Sequence, residues 1–131
     1  MGEKRIGFSL SDTTCTIAQA LKVYKRFSLK KDLEEIKNII NEYNVTQIVV
    51  GLPKNLNGTL GIRGQEIRDF AGKIEQHTSI PTVLWDERFS TNEAHRMFSI
   101  AGVTQKKRKE SIDMIASQII LQGYLDAHKK T

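Results

Sequence analysis

Thiol, zinc and membrane chemistry are all poorly supplied in this chain. It has one cysteine, Cys15, so no intrachain disulfide can form. Its three histidines, His77, His95 and His128, show none of the spacings that hold a metal, which argues against a zinc site. No apolar run approaches the roughly 20 residues needed to cross a bilayer, and charges stand where a signal peptide would keep its apolar core. A cytoplasmic protein with no membrane partner is expected. Neither G-x-x-x-x-G-K-[ST] nor G-x-G-x-x-G occurs, so nucleotide-hydrolysing and dinucleotide-binding readings have little support. There is also no internal repeat, low-complexity tract or linker.

What the chain does have is length for one core and an excess of positive charge. Its 131 residues predict a single domain, 1–131. Lys and Arg number 20 against 15 Asp and Glu, a net charge of +5 that favours a polyanionic partner without requiring one.

Hydrophobic periodicity supplies the elements. "KRIGFSLSD" alternates, with Ile6, Phe8 and Leu10 on one face of a strand, and "TIAQALKVYK" is a weaker second strand. Ser28 can cap a helix through "LKKDLEEIKNIINEY", where Leu29, Leu33, Ile36, Ile40 and Tyr43 recur at helical spacing. "TQIVVGLP" reads as a buried strand stopped by Gly51 and Pro53, and Asn57-Gly58 is a turn signal. From about Thr59 a second helix carries Ile67, Phe70, Ala71 and Ile74, and "IPTVLW" gives a further strand. Ser90 with Glu93 fits a capping box opening a third helix that stops at Gly102. The last helix, "ESIDMIASQIILQGYLDAHKK", aligns Ile112, Ile115, Ala116, Ile119 and Tyr124. Two strands followed by alternating helix and strand make an α/β domain.

Three features could carry chemistry. The apolar run "LWDER" ends in Asp86, Glu87 and Arg88. Successive strand side chains alternate between faces, so one of the two acids leads into a site while the other orients a neighbour or caps the helix at Ser90. Taken alone, such a pair is more often a polar strand cap than a catalytic one. Asp113 lies beside the apolar stripe of the last helix, where an uncompensated carboxylate is costly. Its compensation is Arg88, Lys109 or a metal ion, and a boundary salt bridge is the plain alternative. Between them run Lys106, Lys107, Arg108 and Lys109, four consecutive cations suited to a nucleic-acid backbone or simply to a solvated loop or helix start.

"GEKRIGFSLSD", "VVGLPKNLNGT", "WDERFST" and "KKRKESIDMIASQIILQGYLD" fall in an order and spacing that resembles the YqgF family, also called RuvX, over essentially the whole chain. The resemblance implies a ribonuclease H-like mixed sheet flanked by helices and a nuclease acting on Holliday junctions or on the precursor of small-subunit ribosomal RNA. It also implies a site of Asp86, Glu87 and Asp113 holding Mg²⁺ or Mn²⁺. Lys4, Arg5, Arg88 and the 106–109 run are the expected nucleic-acid contacts. One or two hard cations held by oxygen ligands would activate a water and stabilise the leaving oxygen.

The departure from the family lies at the beginning. Members typically carry an apolar strand of the form "ILGLDxG" before "KRIG", and its Asp is a further catalytic carboxylate. Here the chain starts at Met1-Gly2; Asp12 matches the separate "SD" motif and Glu3 a turn position, so neither replaces that acid. Loss of that strand would leave an edge-exposed sheet. A misassigned or truncated start is the expectation, decided by the upstream reading frame; a chain that truly begins at Met1 would have weak or no nuclease activity. The rival function is a non-catalytic nucleic-acid-binding module, in which the cations matter and the acids do not. Monomer and homodimer are both compatible with the sequence.

Overall fold

Alternation in the first 25 residues is realised as a hairpin in the computed structural model, which describes residues 4–53, 57–86 and 105–128. Strand β1 (Arg5–Ser11) pairs antiparallel with β2 (Ala18–Lys25), with a register shift between Phe8 and Ser9. Ile6 is buried, and Phe8 and Leu10 are half-buried. Helix α1 (Leu29–Tyr43) follows, then β3 (Ile48–Leu52), α2 (Ile62–Thr78), β4 (Thr82–Asp86) and α3 (Gln105–Ala127). β3 and β4 pair in parallel from Ile48 opposite Thr82 to Leu52 opposite Asp86, with α2 as the crossover that a parallel pair requires. The α/β class is therefore observed, but among the described residues the strands form two separate two-stranded sheets, β1–β2 antiparallel and β3–β4 parallel, where one mixed sheet was expected. The helix expected over 90–101 lies outside the described residues.

The chain forms two compact units, Met1–Lys25 with Glu87–Thr131, and Arg26–Asp86. In the first, α3 packs on both strands of the hairpin. Ala18 is 1% exposed, and side chains of α3 complete its hydrogen bonding: its N–H donates to Gln122 Oε1 at 2.9 Å and its carbonyl accepts from Gln118 Nε2 at 3.0 Å. Gln122 Nε2 donates further to the Thr16 carbonyl and to Asp126 Oδ1, each at 2.9 Å. Ser117 gives its one hydroxyl proton to the Met114 carbonyl at 2.7 Å, so Ser9 is the donor in the 2.6 Å Ser9–Ser117 bond. Burial on α3 falls on Ile120 and Leu125, while the expected Ile115, Ala116, Ile119 and Tyr124 are half-buried. The helix also begins five residues earlier than "ESIDM", at Gln105.

In the second unit, Leu33, Ile36 and Ile39 of α1 and Ile67, Phe70, Ala71 and Ile74 of α2 are buried, as is Leu52 of β3. Ser28 caps α1 as expected, its Oγ accepting from the Lys31 N–H at 3.2 Å, and Asn44 closes the helix in the left-handed conformation. Leu29 and Tyr43, expected on the apolar stripe, are exposed because they stand at the two ends of the helix, beyond the reach of α2. Asp32 is 1% exposed in the middle of the α1 core. Its Oδ2 accepts from Arg26 Nε at 3.0 Å and its Oδ1 from the Phe27 N–H at 3.1 Å, and the Arg26 guanidinium carbon lies 5.2 Å from the centre of the Phe70 ring. Gly51, expected to stop β3, is instead its fourth residue and faces Trp85 across the pair; only Leu52 and Pro53 end the strand.

Two glycines of α2 separate close packing from mere flexibility. A Cβ on Gly64 would stand 2.8 Å from the Pro53 carbonyl and 2.9 Å from Leu60 Cδ2, so backbone must give way; a Cβ on Gly72 meets nothing within 4 Å. Gly64→Ala should destabilise by about 1–3 kcal/mol, whereas Gly72→Ala should stabilise by about 0.5–1 kcal/mol through helix propensity. Urea denaturation of both variants checks the contrast. Asp32→Ala, which strands Arg26 and the Phe27 N–H, should cost about 3 kcal/mol in the same assay, near the lower end for a broken buried pair because Arg26 keeps some access to water.

Candidate functional site

Parallel strands end together, and that places the first candidate acid. Asp86 is the last residue of β4, opposite Leu52, the last residue of β3, so it stands at the carboxyl end of the parallel pair. In open α/β sheets that end is where ligands gather, since the loops that leave the strands converge there. Asp86 is half-buried, and its backbone is fixed in the ladder. The other two residues of the motif, Glu87 and Arg88, lie outside the described residues.

The remaining candidates belong to the other unit. Asp113 lies on α3, one helical turn after Lys109, and Lys106, Lys107, Arg108 and Lys109 occupy the first turns of the same helix. The basic run is therefore a helix start and not a loop; the side chains of 105–113 are outside the described set. Lys4 is exposed immediately before β1, and Arg5 is the half-buried first residue of that strand. Among the described residues no three Asp, Glu, His or Cys side chains converge, a set that includes Asp86 but neither Glu87 nor the Asp113 side chain.

The "SD" motif has a local role that its sequence did not announce. Asp12 closes the turn between β1 and β2. Its Oδ1 accepts from the Thr16 N–H at 2.8 Å and the Ile17 N–H at 3.0 Å, its Oδ2 from the Thr14 hydroxyl at 2.5 Å, and its own N–H donates to the Ile17 carbonyl at 3.0 Å. Cys15 adopts a positive φ of 56° inside this turn. Gln122 binds the Thr16 carbonyl next to it, so the turn and α3 are joined. The Thr14 hydroxyl and the Ile17 and Thr16 N–H donors hold the Asp12 carboxyl below the usual carboxylate range.

Asp32, Gln118 and Gln122 were missed as determinants of the scaffold. The signal for Asp32 was thin: an acid in the first turn, one residue before Leu33 on the apolar stripe.

The fold these elements build is ribonuclease H-like. Over 99% of this chain and 95% of the other it is similar, with a TM-score of 0.57 and 16% sequence identity, to the crystal structure of Fowlpox virus resolvase in complex with substrate Holliday junction DNA. The chain belongs to the RuvX family, whose model, described as Holliday junction resolvase, matches residues 1–127. Relatives carry the name "Putative pre-16S rRNA nuclease". That of Thermoanaerobacter pseudethanolicus is 52% identical over 98% of this chain and 94% of its own length. That of Carboxydothermus hydrogenoformans is 46% identical over 99% and 94%. Among the described residues no helix is long and apolar enough to cross a membrane.

The lowered Asp12 pKa gives a signed pH dependence. A carboxyl whose folded-state pKa lies below its ordinary value of 3.8 contributes stability that is fully present above that value and fades as pH falls through the folded-state pKa. Amide protection factors at Thr16 and Ile17, corrected for the intrinsic pH dependence of exchange, should therefore hold down to about 3.8 and fall below it. Asp12→Asn, which keeps an acceptor oxygen but cannot titrate, should remove that pH dependence without opening the turn at neutral pH.

Proposed function

We propose that this chain is a metal-dependent endonuclease for structured nucleic acid, with Asp86, Glu87 and Asp113 as the carboxylates that hold Mg²⁺ or Mn²⁺. The observation that carries the reading is the position of Asp86, a half-buried acid at the carboxyl end of a parallel strand pair in a chain of the RuvX family. Oxygen-only donors suit hard cations, and the sequence gives its one cysteine and three histidines no spacing that would favour a softer metal. A bound divalent ion supplies a nucleophilic hydroxide from water and charge stabilisation at the phosphodiester.

The protein's own part is to hold and orient. The β4 ladder fixes the Asp86 backbone, and the contacts of α3 with the hairpin fix the helix that bears Asp113. Lys106, Lys107, Arg108 and Lys109, with Lys4, Arg5 and Arg88, are proposed to bind phosphates flanking the scissile bond, a sequence-independent contribution that weakens with salt. The names carried by its relatives favour two substrates, Holliday junction DNA and the precursor of 16S ribosomal RNA. A cytoplasmic protein acting as monomer or homodimer fits this reading.

The test measures Mn²⁺ binding by calorimetry, and cleavage of four-way junction DNA and precursor 16S RNA with and without chelator. Cleavage is assayed both for residues 1–131 and for the same chain extended by its upstream in-frame codons. Asp113→Asn and Asp86→Asn should weaken Mn²⁺ binding and lower metal-dependent cleavage at least about 100-fold, equivalent to about 2.7 kcal/mol of transition-state stabilisation, while leaving nucleic-acid affinity within a few fold. Wild-type Mn²⁺ affinity and cleavage rate in Asp113→Asn would remove that residue from the site. Salt-sensitive binding with no metal-dependent cleavage by either form would favour the non-catalytic module.

A further inference from the structure

The segment between β2 and α1 presents an aromatic ring to water on a backbone that cannot easily withdraw it. Phe27 is 82% exposed, the most exposed of the large hydrophobic side chains among the described residues. Its N–H is bound to the buried Asp32 carboxylate at 3.1 Å, the preceding Arg26 is bound to the same carboxylate, and the following Ser28 is the N-cap of α1. The chain on both sides of Phe27 is thus pinned, and the ring is held at the surface without a local collapse that would hide it.

Its surroundings are cationic and apolar. Leu29 is exposed beside it, and Lys30 and Lys31 are exposed in the first turn of α1. Lys31 stands only 3.9 Å from Glu34, a loose pair at the surface that leaves its ammonium largely to solvent. In sequence the pattern extends over "KVYKRFSLKK", where Lys and Arg interleave with Tyr24 and Phe27. The first turn holds one acid, Asp32, already paired with Arg26, so the two lysines beside it run against the macrodipole, which favours acids there. A local choice that works against stability is better accounted for by a ligand than by folding.

We infer that Phe27 is a stacking platform for an unpaired base, with Lys30 and Lys31 meeting the phosphates on either side of it. This rests on the nucleic-acid reading above and adds to it a preference for single-stranded segments over continuous duplex. Every base offers a π-face, so an exposed ring binds single strands with little regard to sequence, whereas paired and stacked bases in a duplex are closed to it. Preorganisation of the ring by Asp32 reduces the ordering cost of binding.

Fluorescence anisotropy tests this with the full chain, a labelled single-stranded oligonucleotide and a duplex of the same sequence, both in chelator so that cleavage cannot intervene. Phe27→Ala should weaken single-strand binding about 5- to 100-fold, the range expected for one lost base stack, leave duplex binding within about twofold, and retain the wild-type melting temperature because the ring is already in water. Phe27→Trp should bind single strands as well as wild type or better. Equal single-strand affinity of wild type and Phe27→Ala would overturn the inference while leaving the nuclease reading intact. Failure of the wild-type chain to bind either nucleic acid would overturn both. A wild-type dimer in sedimentation that Phe27→Ala converts to monomer, with unchanged nucleic-acid affinity, would assign the ring to a contact with a second copy of this chain and overturn the inference.

Discussion

Side-chain amides acting as strand partners hold the first unit together. Gln118 and Gln122 supply to Ala18 the acceptor and donor that a neighbouring peptide group would supply, and Gln122 spends its remaining protons on Thr16 and Asp126. Each such bond contributes only about 1 kcal/mol net, but a buried peptide group left without one costs about 1–3 kcal/mol. At Ala18, which is almost fully buried, that asymmetry makes the helix obligatory. The edge of β2 is also closed to intermolecular pairing at this point. These contacts join residues 100 to 108 positions apart, so they set where the chain's last helix lies on its first hairpin.

The second unit solves a similar problem with charge. Asp32 has both oxygens occupied by donors, one an arginine and one a main-chain amide, and the arginine covers an aromatic face in turn. The pair contributes less to net stability than its geometry implies, because Asp32 has left water and Arg26 has left most of it. What it provides is specificity. With Asp32 fixed, the entry into α1 can follow only one path, and the ring of Phe27 is left outside.

Periodicity made most of this fold legible. Alternation at Ile6, Phe8 and Leu10, the 3.6-residue recurrence of Ile67, Phe70, Ala71 and Ile74, and the cap at Ser28 each name an element that is present. What periodicity could not show are the places where polar side chains take core positions. Gln118 and Gln122 give no periodic signal, and their partners lie at the other end of the chain. Asp32 gives none either, because Arg26 stands outside the helix, where no i, i+4 pairing rule reaches. The candidate acids were legible for a different reason: alternation at a strand end singles out "DER", and the family pattern adds Asp113. Of these, the structure places the Asp86 side chain and the Asp113 backbone.

The split of the carboxylates between units has a consequence for folding. Arg26–Asp86 is contiguous in sequence, and its α1, β3, α2 and β4 form through contacts of short range. The hairpin and α3 must instead find each other across that whole segment, which carries a loop-closure cost that is recovered only when the glutamine and serine contacts are complete. Asp86 therefore belongs to the contiguous unit, and Asp113 to the unit whose two segments are joined across it. Closure of that terminal unit is governed by neutral side chains, since Ser9, Ser117, Gln118 and Gln122 form the hydrogen bonds that fix the helix on the hairpin.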